Sequence, residues 1–263
     1  MNPLNQLDQL KSDWESLAER DALHAILTDA TKTGGQWNLA EFMATGETEI
    51  DAVVRHLIQI GHAPDFRGEV LDFGCGVGRL TQPLARRFAS CVGVDISDTM
   101  IRKAEALNQY PHCRYVASSD TRLPFADARF SFIYSNIVLQ HAPRHIAVAY
   151  LQEFVRVLAP GAVLVFGVQD SFAISDLSSF FTRMRQLLRI RSRIKAALHE
   201  GSGDMQMHCL PAHIVRNALS GAAVVDVQIT NTGKKDFNGN LIYLRQPQAS
   251  GYIGKQYCVV KQA

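Results

Sequence analysis

Three glycines on alternate positions directly follow an apolar run, and this turn constrains the fold more than any other feature of the chain. Residues 70–73 read as a strand, Gly74, Gly76 and Gly78 follow at once, and residues 80–88 form a helix-compatible run. Glycine permits a tight turn and the close approach of a ligand to the backbone. The start of the following helix offers unpaired N–H groups. The pattern predicts a nucleotide-binding turn in an α/β fold.

The spacing of these glycines narrows the prediction. The dinucleotide fingerprint is G-x-G-x-x-G, whereas Gly78 here comes one position early, which argues against a nicotinamide oxidoreductase. The stretch V-L-D-F-G-C-G-V-G resembles motif I of the class I S-adenosylmethionine-dependent methyltransferases, in particular their type 11/12-like small-molecule group. The resemblance implies S-adenosylmethionine as cofactor and places Asp72, Gly74, Cys75 and Gly76 at its site.

An acidic residue ends the second predicted strand, residues 91–95. Asp95 lies 21 residues after Gly74, and an acid about 20 residues past the glycines binds the ribose hydroxyls in doubly wound folds. A carboxylate suits this role because it accepts two hydrogen bonds at once. Ile96 and Met100 are expected to flank the adenine.

The residue that contacts the adenine amino group has more than one candidate. The resemblance implies an acid four residues before a Leu-Pro pair, here Leu123–Pro124. That position holds a serine, and an aspartate comes one residue later. The prediction therefore keeps three neighbours together, Ser119, Asp120 and Thr121.

Residues 136–143 follow the fourth predicted strand, residues 132–135. They resemble the segment that separates cofactor and acceptor in this family. The resemblance implies that Asn136, Ile137 and His141 contact the cofactor. His141 follows a strand at the carboxyl edge of the sheet, where ligands bind in this architecture, and free imidazole has a pKa suited to proton transfer. We predict His141 as the catalytic base, the alternative being a histidine that only binds loop backbone. Lower-ranked bases are His208, His213 and Tyr134.

The chain is expected to divide into four parts: an N-terminal helical cap or lid (1–61), the S-adenosylmethionine-binding core (62–168), a helical insert or substrate lid (169–222) and C-terminal strands (223–263). Trp37 is predicted to contact the cofactor from the cap, with plain core packing as the alternative. The predicted fold is α/β, Rossmann-like and doubly wound. Its seven-stranded, mostly parallel sheet has an antiparallel last strand.

Composition limits the partners. A formal charge of +2 neither requires nor excludes nucleic acid. We expect no membrane span and no secretory signal. The five cysteines show no metal-ligand spacing, so we expect a cytoplasmic protein that binds no metal. We also expect a monomer or a homodimer.

These observations predict methyl transfer to an oxygen or nitrogen atom of a small molecule. Two alternatives remain open. The basic stretch 183–195 would suit docking to RNA or to a protein acceptor, or would be a solvated helix face. The second alternative is a domain that binds S-adenosylmethionine without catalysing a reaction.

Overall fold

One mixed sheet with helices on both faces forms the centre of the molecule. The computed structural model describes residues 3–29, 31–173, 205–234 and 237–262. Its helices are α1 (Pro3–Ile26), α2 (Leu39–Gln59), α3 (Thr81–Ala85), α4 (Asp98–Leu107), α5 (Arg144–Val157) and α6 (Ala212–Ala218). Its strands are β1 (Glu69–Phe73), β2 (Ser90–Asp95), β3 (Cys113–Ala117), β4 (Phe130–Ser135), β5 (Leu158–Ala173), β6 (Ala222–Thr230), β7 (Tyr243–Leu244) and β8 (Gly251–Lys261).

The strand order is β3-β2-β1-β4-β5-β8-β6-β7. The first five strands of this order are parallel, and β8 runs antiparallel to both of its neighbours, β5 and β6. The order reverses at β1, so the carboxyl ends of β1 and β4 flank the crevice in which ligands bind in doubly wound folds. The predicted Rossmann-like fold with an antiparallel last strand is confirmed.

The central strands are buried on both faces, which explains their nearly continuous apolar sequences. Leu71 and Phe73 of β1 pack in the cluster shared with α5 and α6. Val70 belongs to the opposite cluster, which contains Leu84 of α3 and Leu57 of α2. Burial of large apolar side chains on both sides is the main stabilising contribution to such a sheet.

The N-terminal helices follow from their caps and apolar faces. Asn38 caps α2 by accepting a hydrogen bond from the amide of Glu41, and Gly61 has a φ of 78° just past the helix end. Ile58 follows the buried Leu57 but is 56% exposed, because the 3.6-residue repeat carries it past the contact with the sheet. The first helix bends at Asp21, which has extended backbone angles.

Three features of the strands and helices differ from the sequence prediction. The sheet has eight strands instead of seven, because Tyr243–Leu244 pair with the edge of β6. Strand β5 continues past residue 168, where the predicted core ends, because residues 169–173 pair with the first residues of β8. Helix α3 is shorter than the predicted run 80–88 and leaves Arg86 to Phe88 as a closing turn.

The predicted helical insert falls largely on residues outside the described part of the chain, as does the whole basic stretch 183–195. Among the described residues, no helix combines the length and the apolar character that a membrane crossing needs.

Candidate active site

The glycine turn after β1 is held in a conformation that other residues adopt only with strain. Gly74, Gly76 and Gly78 have φ values of 76°, 53° and 88°. A Cβ atom on Gly74 would lie 2.2 Å from the side chain of Val138, and one on Gly76 would lie 2.5 Å from Ile26. The turn therefore requires glycine both for its backbone angles and for the close contacts that it accepts.

Asp95 is the acid that the turn faces. Its Oδ2 accepts a hydrogen bond from the amide of Gly76 at 2.8 Å, and its Oδ1 accepts one from the amide of Ser97 at 2.9 Å. Burial raises the pKa of Asp95 to about 6, against the lowering effect of these backbone hydrogen bonds. A carboxylate has about four acceptor positions, so it retains capacity for ligand hydroxyl groups.

A cavity opens where the glycine turn, the end of β2 and the segment after β4 meet. It has a volume of about 890 Å³, counting the space open to solvent, which is within the size range of small-molecule sites. Nine of the predicted site residues line it: Gly74, Cys75, Gly76, Asp95, Ile96, Met100, Asn136, Ile137 and His141.

Five predicted site residues lie apart from the lining. Asp72 is buried under the turn, where its Oδ2 accepts a hydrogen bond from the Thr81 hydroxyl at 2.6 Å. Trp37 donates its indole N–H to the carbonyl of Leu27 and packs edge-on against Phe42. The other three are Ser119, Asp120 and Thr121.

At the adenine end of the predicted site, Ser118 lines the cavity instead of its three successors. The amide of Ser118 donates to the carbonyl of Asp95 at 2.9 Å, which continues the β2–β3 pairing. Asp120 accepts a hydrogen bond from the amide of Arg122 within its own loop. Strand β3 ends at Ala117 and brings Ser118 to the sheet edge. The adenine contact from Ser119, Asp120 or Thr121 stays a prediction.

Helix α1 contributes lining residues that the sequence prediction missed. Leu10 and Trp14 reach the cavity from one face of the helix, and Ile26 reaches it from the end. The regular spacing of leucines and tryptophan in this segment indicated an amphipathic helix. It could not indicate what the apolar face covers, since that depends on contacts far along the chain.

Glu15 fixes α1 in this position. Its carboxylate accepts hydrogen bonds from the amide of Thr99 and from the hydroxyl of Ser97, at the N-terminus of α4. Lys11 forms an ion pair with Asp98 at 2.8 Å beside this contact. A carboxylate at a helix N-terminus is favourable because it meets unpaired N–H groups.

A buried polar network forms the cavity wall beside the segment after β4. Glu49 of α2 accepts hydrogen bonds from Arg79 at 2.9 Å, from the Tyr134 hydroxyl at 2.8 Å and from the Asn136 amide at 2.7 Å. Arg79 and Asn136 also line the cavity. Neither Glu49 nor Arg79 was predicted, although an arginine directly after the last glycine is visible in the sequence.

His141 is buried between the cavity and the segment that precedes α6. Its Nδ1 lies 3.1 Å from the carbonyl oxygen of Gln206. Its ring packs edge-on against Trp14 with 5.4 Å between centroids. Because a carbonyl only accepts, we assign the hydrogen to Nδ1. Burial lowers the pKa of His141 to about 4, so the ring is neutral near pH 7.

The three lower-ranked candidate bases are less well placed for proton transfer to or from a ligand in the cavity. Tyr134 donates its hydroxyl hydrogen to Glu49, and burial raises the pKa of Tyr134 above its ordinary value. His213 is exposed on α6, and neither it nor His208 lines the cavity. In the described part of the chain one group of potential metal ligands occurs, His56, Asp226 and Cys258. None of the three lines the cavity, and His56 and Asp226 are paired with each other at 2.7 Å.

Comparison with known proteins matches this architecture to one kind of domain. Residues 70–161 match a family described as a methyltransferase domain. The trans-aconitate 2-methyltransferase of Deinococcus radiodurans is 39% identical over 103 residues, covering 38% of this chain and 37% of that protein. The malonyl-acyl-carrier-protein O-methyltransferase of Pseudescherichia vulneris is 33% identical over 108 residues, covering 41% of each. The chain thus spans less than half the length of these relatives.

Solved structures share the fold over a longer range. The magnesium protoporphyrin IX methyltransferase of Synechocystis, solved with bound S-adenosylmethionine, superimposes with a TM-score of 0.58 at 16% identity. The alignment covers 100% of this chain and 98% of that one. At this identity the likeness concerns the fold.

Proposed function

We propose that the protein transfers a methyl group from S-adenosylmethionine to an oxygen or nitrogen atom of a small molecule, on the premise that residues 70–161 match a methyltransferase-domain family. The observation that carries the proposal is the convergence of the glycine turn, Asp95 and His141 on one cavity. The enclosing position of α1 supports a compact acceptor, because Trp14 narrows the cavity beside His141.

The residues present fit the cofactor. Gly74, Cys75 and Gly76 line the cavity, so a ligand there would lie beside the main chain of the turn. Asp95 offers acceptor positions for two neighbouring hydroxyls, and Ile96 and Met100 offer apolar surface for a purine ring. When bound, S-adenosylmethionine supplies an electrophilic methyl group on a sulfonium.

The task of the protein in such a reaction is to align the nucleophile and exclude water. With its hydrogen on Nδ1, His141 has its lone pair on Nε2, which lies 3.5 Å from the side-chain amide nitrogen of Gln140. An O–H or N–H group of the acceptor would replace this long contact as the donor to Nε2. Its lowered pKa makes it a weak base. It therefore orients the nucleophile and withdraws a proton only as the nucleophile becomes acidic during attack.

The cofactor step is tested by calorimetry with S-adenosylhomocysteine. We expect Asp95→Ala to weaken binding about tenfold or more, since hydrogen bonds to a charged group are involved. Asp65→Asn is the matched control, because Asp65 is exposed and pairs only within its own loop. Binding of NAD in place of S-adenosylhomocysteine would contradict the proposal.

The acceptor step is tested by a small-molecule screen with a methyl-labelled cofactor. With an acceptor found in this way, His141→Ala should lower kcat by about a hundredfold, which is typical of a lost general base. The affinity for S-adenosylhomocysteine should change little. An unchanged kcat would make His141 a structural residue that holds the backbone at Gln206.

A further inference from the structure

Three side chains that can bind a metal ion meet outside the cavity, from distant parts of the chain. They are His56 in the last turn of α2, Asp226 of β6 and Cys258 of β8. One ligand atom from each lies within 4.8 Å of the other two. The expectation of no metal followed from spacing along the chain. Spacing could not show this group, because 170 residues separate His56 from Asp226.

A register shift in β6, as in a β-bulge, brings two of these ligands together. Val224 pairs with Val259, and the next pair along the two strands is Asp226 and Cys258. Residues directly opposite each other on antiparallel strands have their side chains on the same face of the sheet. The shift therefore puts Asp226, and not Val225, beside the thiol. Bulges are frequent next to functional sites, where they reorient a side chain.

Helix α2 supplies the third ligand, and neighbouring side chains hold the ligands in place. Nε2 of His56 lies 2.7 Å from Oδ2 of Asp226. The side-chain amide of Gln228 donates to both carboxylate oxygens of Asp226, at 3.2 and 2.9 Å. The ring of Tyr243 packs against the imidazole with 5.0 Å between centroids. Partners of this kind orient the ligands of metal sites in proteins.

The exposure of the three ligands suits an ion that enters from solvent. The side chains of His56 and Asp226 are 14% and 23% exposed, and Cys258 is 1% exposed. An ion can therefore approach past the carboxylate and reach the thiol. The same burial makes Cys258 a poor nucleophile, because reactive cysteines are partially exposed.

The ligand types favour zinc. Thiolate, imidazole and carboxylate are its usual protein ligands. Around a tetrahedral zinc ion, such ligand atoms lie about 3.3 to 3.6 Å apart. The 2.7 Å contact between His56 and Asp226 has to open, and the separations of up to 4.8 Å have to close. Side-chain movements of about 1 Å achieve both changes.

We propose that His56, Asp226 and Cys258 bind a zinc ion with water as the fourth ligand, and that the ion joins α2 to the antiparallel end of the sheet. Zinc takes the thiolate form of cysteine, so the thiol proton leaves to solvent as the ion binds. The role is structural, because none of the three ligands lines the cavity. The inference goes beyond the proposed function and does not depend on it.

The test uses the full chain without an affinity tag, freed of metal by a chelator. Zinc is titrated in competition with a chromophoric chelator, and the wild-type protein should bind one ion per chain. Asp226→Asn and Cys258→Ser should each weaken binding by about a hundredfold or more, since the loss of an outer partner alone costs about ten- to hundredfold. Gln228→Ala should therefore cost about tenfold. Cys209→Ser is the matched control, because Cys209 is a free cysteine outside the group.

Cobalt in place of zinc reports on the ligands directly. The wild-type protein should show a thiolate-to-cobalt charge-transfer band and the intense visible bands of a tetrahedral ion, and Cys258→Ser should lose the charge-transfer band. Saturating zinc should raise the Tm of the wild-type protein by several degrees and should leave that of Asp226→Asn unchanged.

Cooperative urea unfolding shows that each variant is folded. Asp226→Asn decides the question if Cys258→Ser does not fold, because it keeps the size of a half-exposed side chain. Absence of zinc binding by the wild-type protein would overturn the inference. Equal zinc affinities of the wild-type protein and Asp226→Asn would also overturn it, as would a wild-type cobalt spectrum without the thiolate band.

Discussion

The buried carboxyl group of Asp72, just before the glycine turn, makes the stability of the protein depend on pH. It is 1% exposed, and its Oδ1 has no hydrogen-bond partner among the described residues. Burial raises its pKa from 3.8 to about 7, against the lowering effects of the hydrogen bond from Thr81 and the charge of Arg79. The motif predicted a cofactor contact here. The geometry instead gives Asp72 a support role, because its bond to Thr81 holds the start of α3 behind the turn.

The raised pKa predicts a loss of stability with rising pH. The folded protein retains the Asp72 proton up to about pH 7, whereas the unfolded chain releases it near 3.8. The free energy of unfolding should therefore fall between these values, by at most roughly 4 kcal/mol for this group. Urea unfolding at several pH values should show this decline in the wild-type protein. In Asp72→Asn the decline should be smaller by the same amount.

Asp65→Asn serves as the control for this experiment. Its exposed carboxyl has a lowered pKa because of hydrogen bonds from Arg67, so it stays ionised across the same pH range. Parallel stability curves for Asp72→Asn and the wild-type protein would show that Asp72 is already ionised in the folded state.

Helix α1 is the element whose position the sequence describes least well. Its apolar period predicted a helix, and the helix is present. Its placement depends on Glu15, which bonds to α4 residues 82 to 84 positions away. No local pattern marks such a pair. The strands β1 to β4, by contrast, were predictable because burial on both faces leaves a nearly continuous apolar run in each.

Loss of the Glu15 contact should loosen α1 over the cavity. Burial alone would raise the pKa of Glu15, but hydrogen bonds from Thr99, Asp98 and Ser97 lower it below 4.5. The ionised carboxylate of Glu15 thus stabilises the contact between α1 and α4 at any pH above 4.5. This stabilisation is lost as the pH falls through the lowered pKa of Glu15. At neutral pH, Glu15→Gln should increase the dissociation rate of S-adenosylhomocysteine several-fold, since a helix cap contributes about 1 kcal/mol.

Stopped-flow displacement measures this rate, and amide exchange of residues 7–26 reports on the helix itself. Glu19→Gln is the control, because Glu19 is an exposed residue of the same helix and forms no part of the contact. Equal rates in the two variants would assign the fixing of α1 to the apolar contacts of Leu10 and Trp14 alone.

At the scale of the molecule, the class of fold was predictable from a few residues, the glycine turn and the acid on β2. The pairing of the two-residue strand β7 with β6 was harder to predict, since so short a strand pairs only where the edge of β6 is available. The network around Glu49 was missed for a related reason. It joins α2, the end of the glycine turn and the end of β4, and only the folded sheet brings Arg79, Tyr134 and Asn136 to one carboxylate. The predicted division into cap, core, insert and C-terminal strands stays a prediction.

The enclosure of the cavity by both sheet and helix predicts that ligand binding and global stability are coupled. A ligand that binds only the folded protein adds about 2.7 kcal/mol to the free energy of unfolding at a hundred times its Kd. S-adenosylhomocysteine at that concentration should raise Tm by several degrees and should protect α1 and residues 136–142 together in amide exchange. NAD at the same concentration should leave both unchanged. Protection of residues 136–142 without α1 would mean that the ligand does not stabilise the helix, although Trp14 of α1 packs against His141 at the cavity wall.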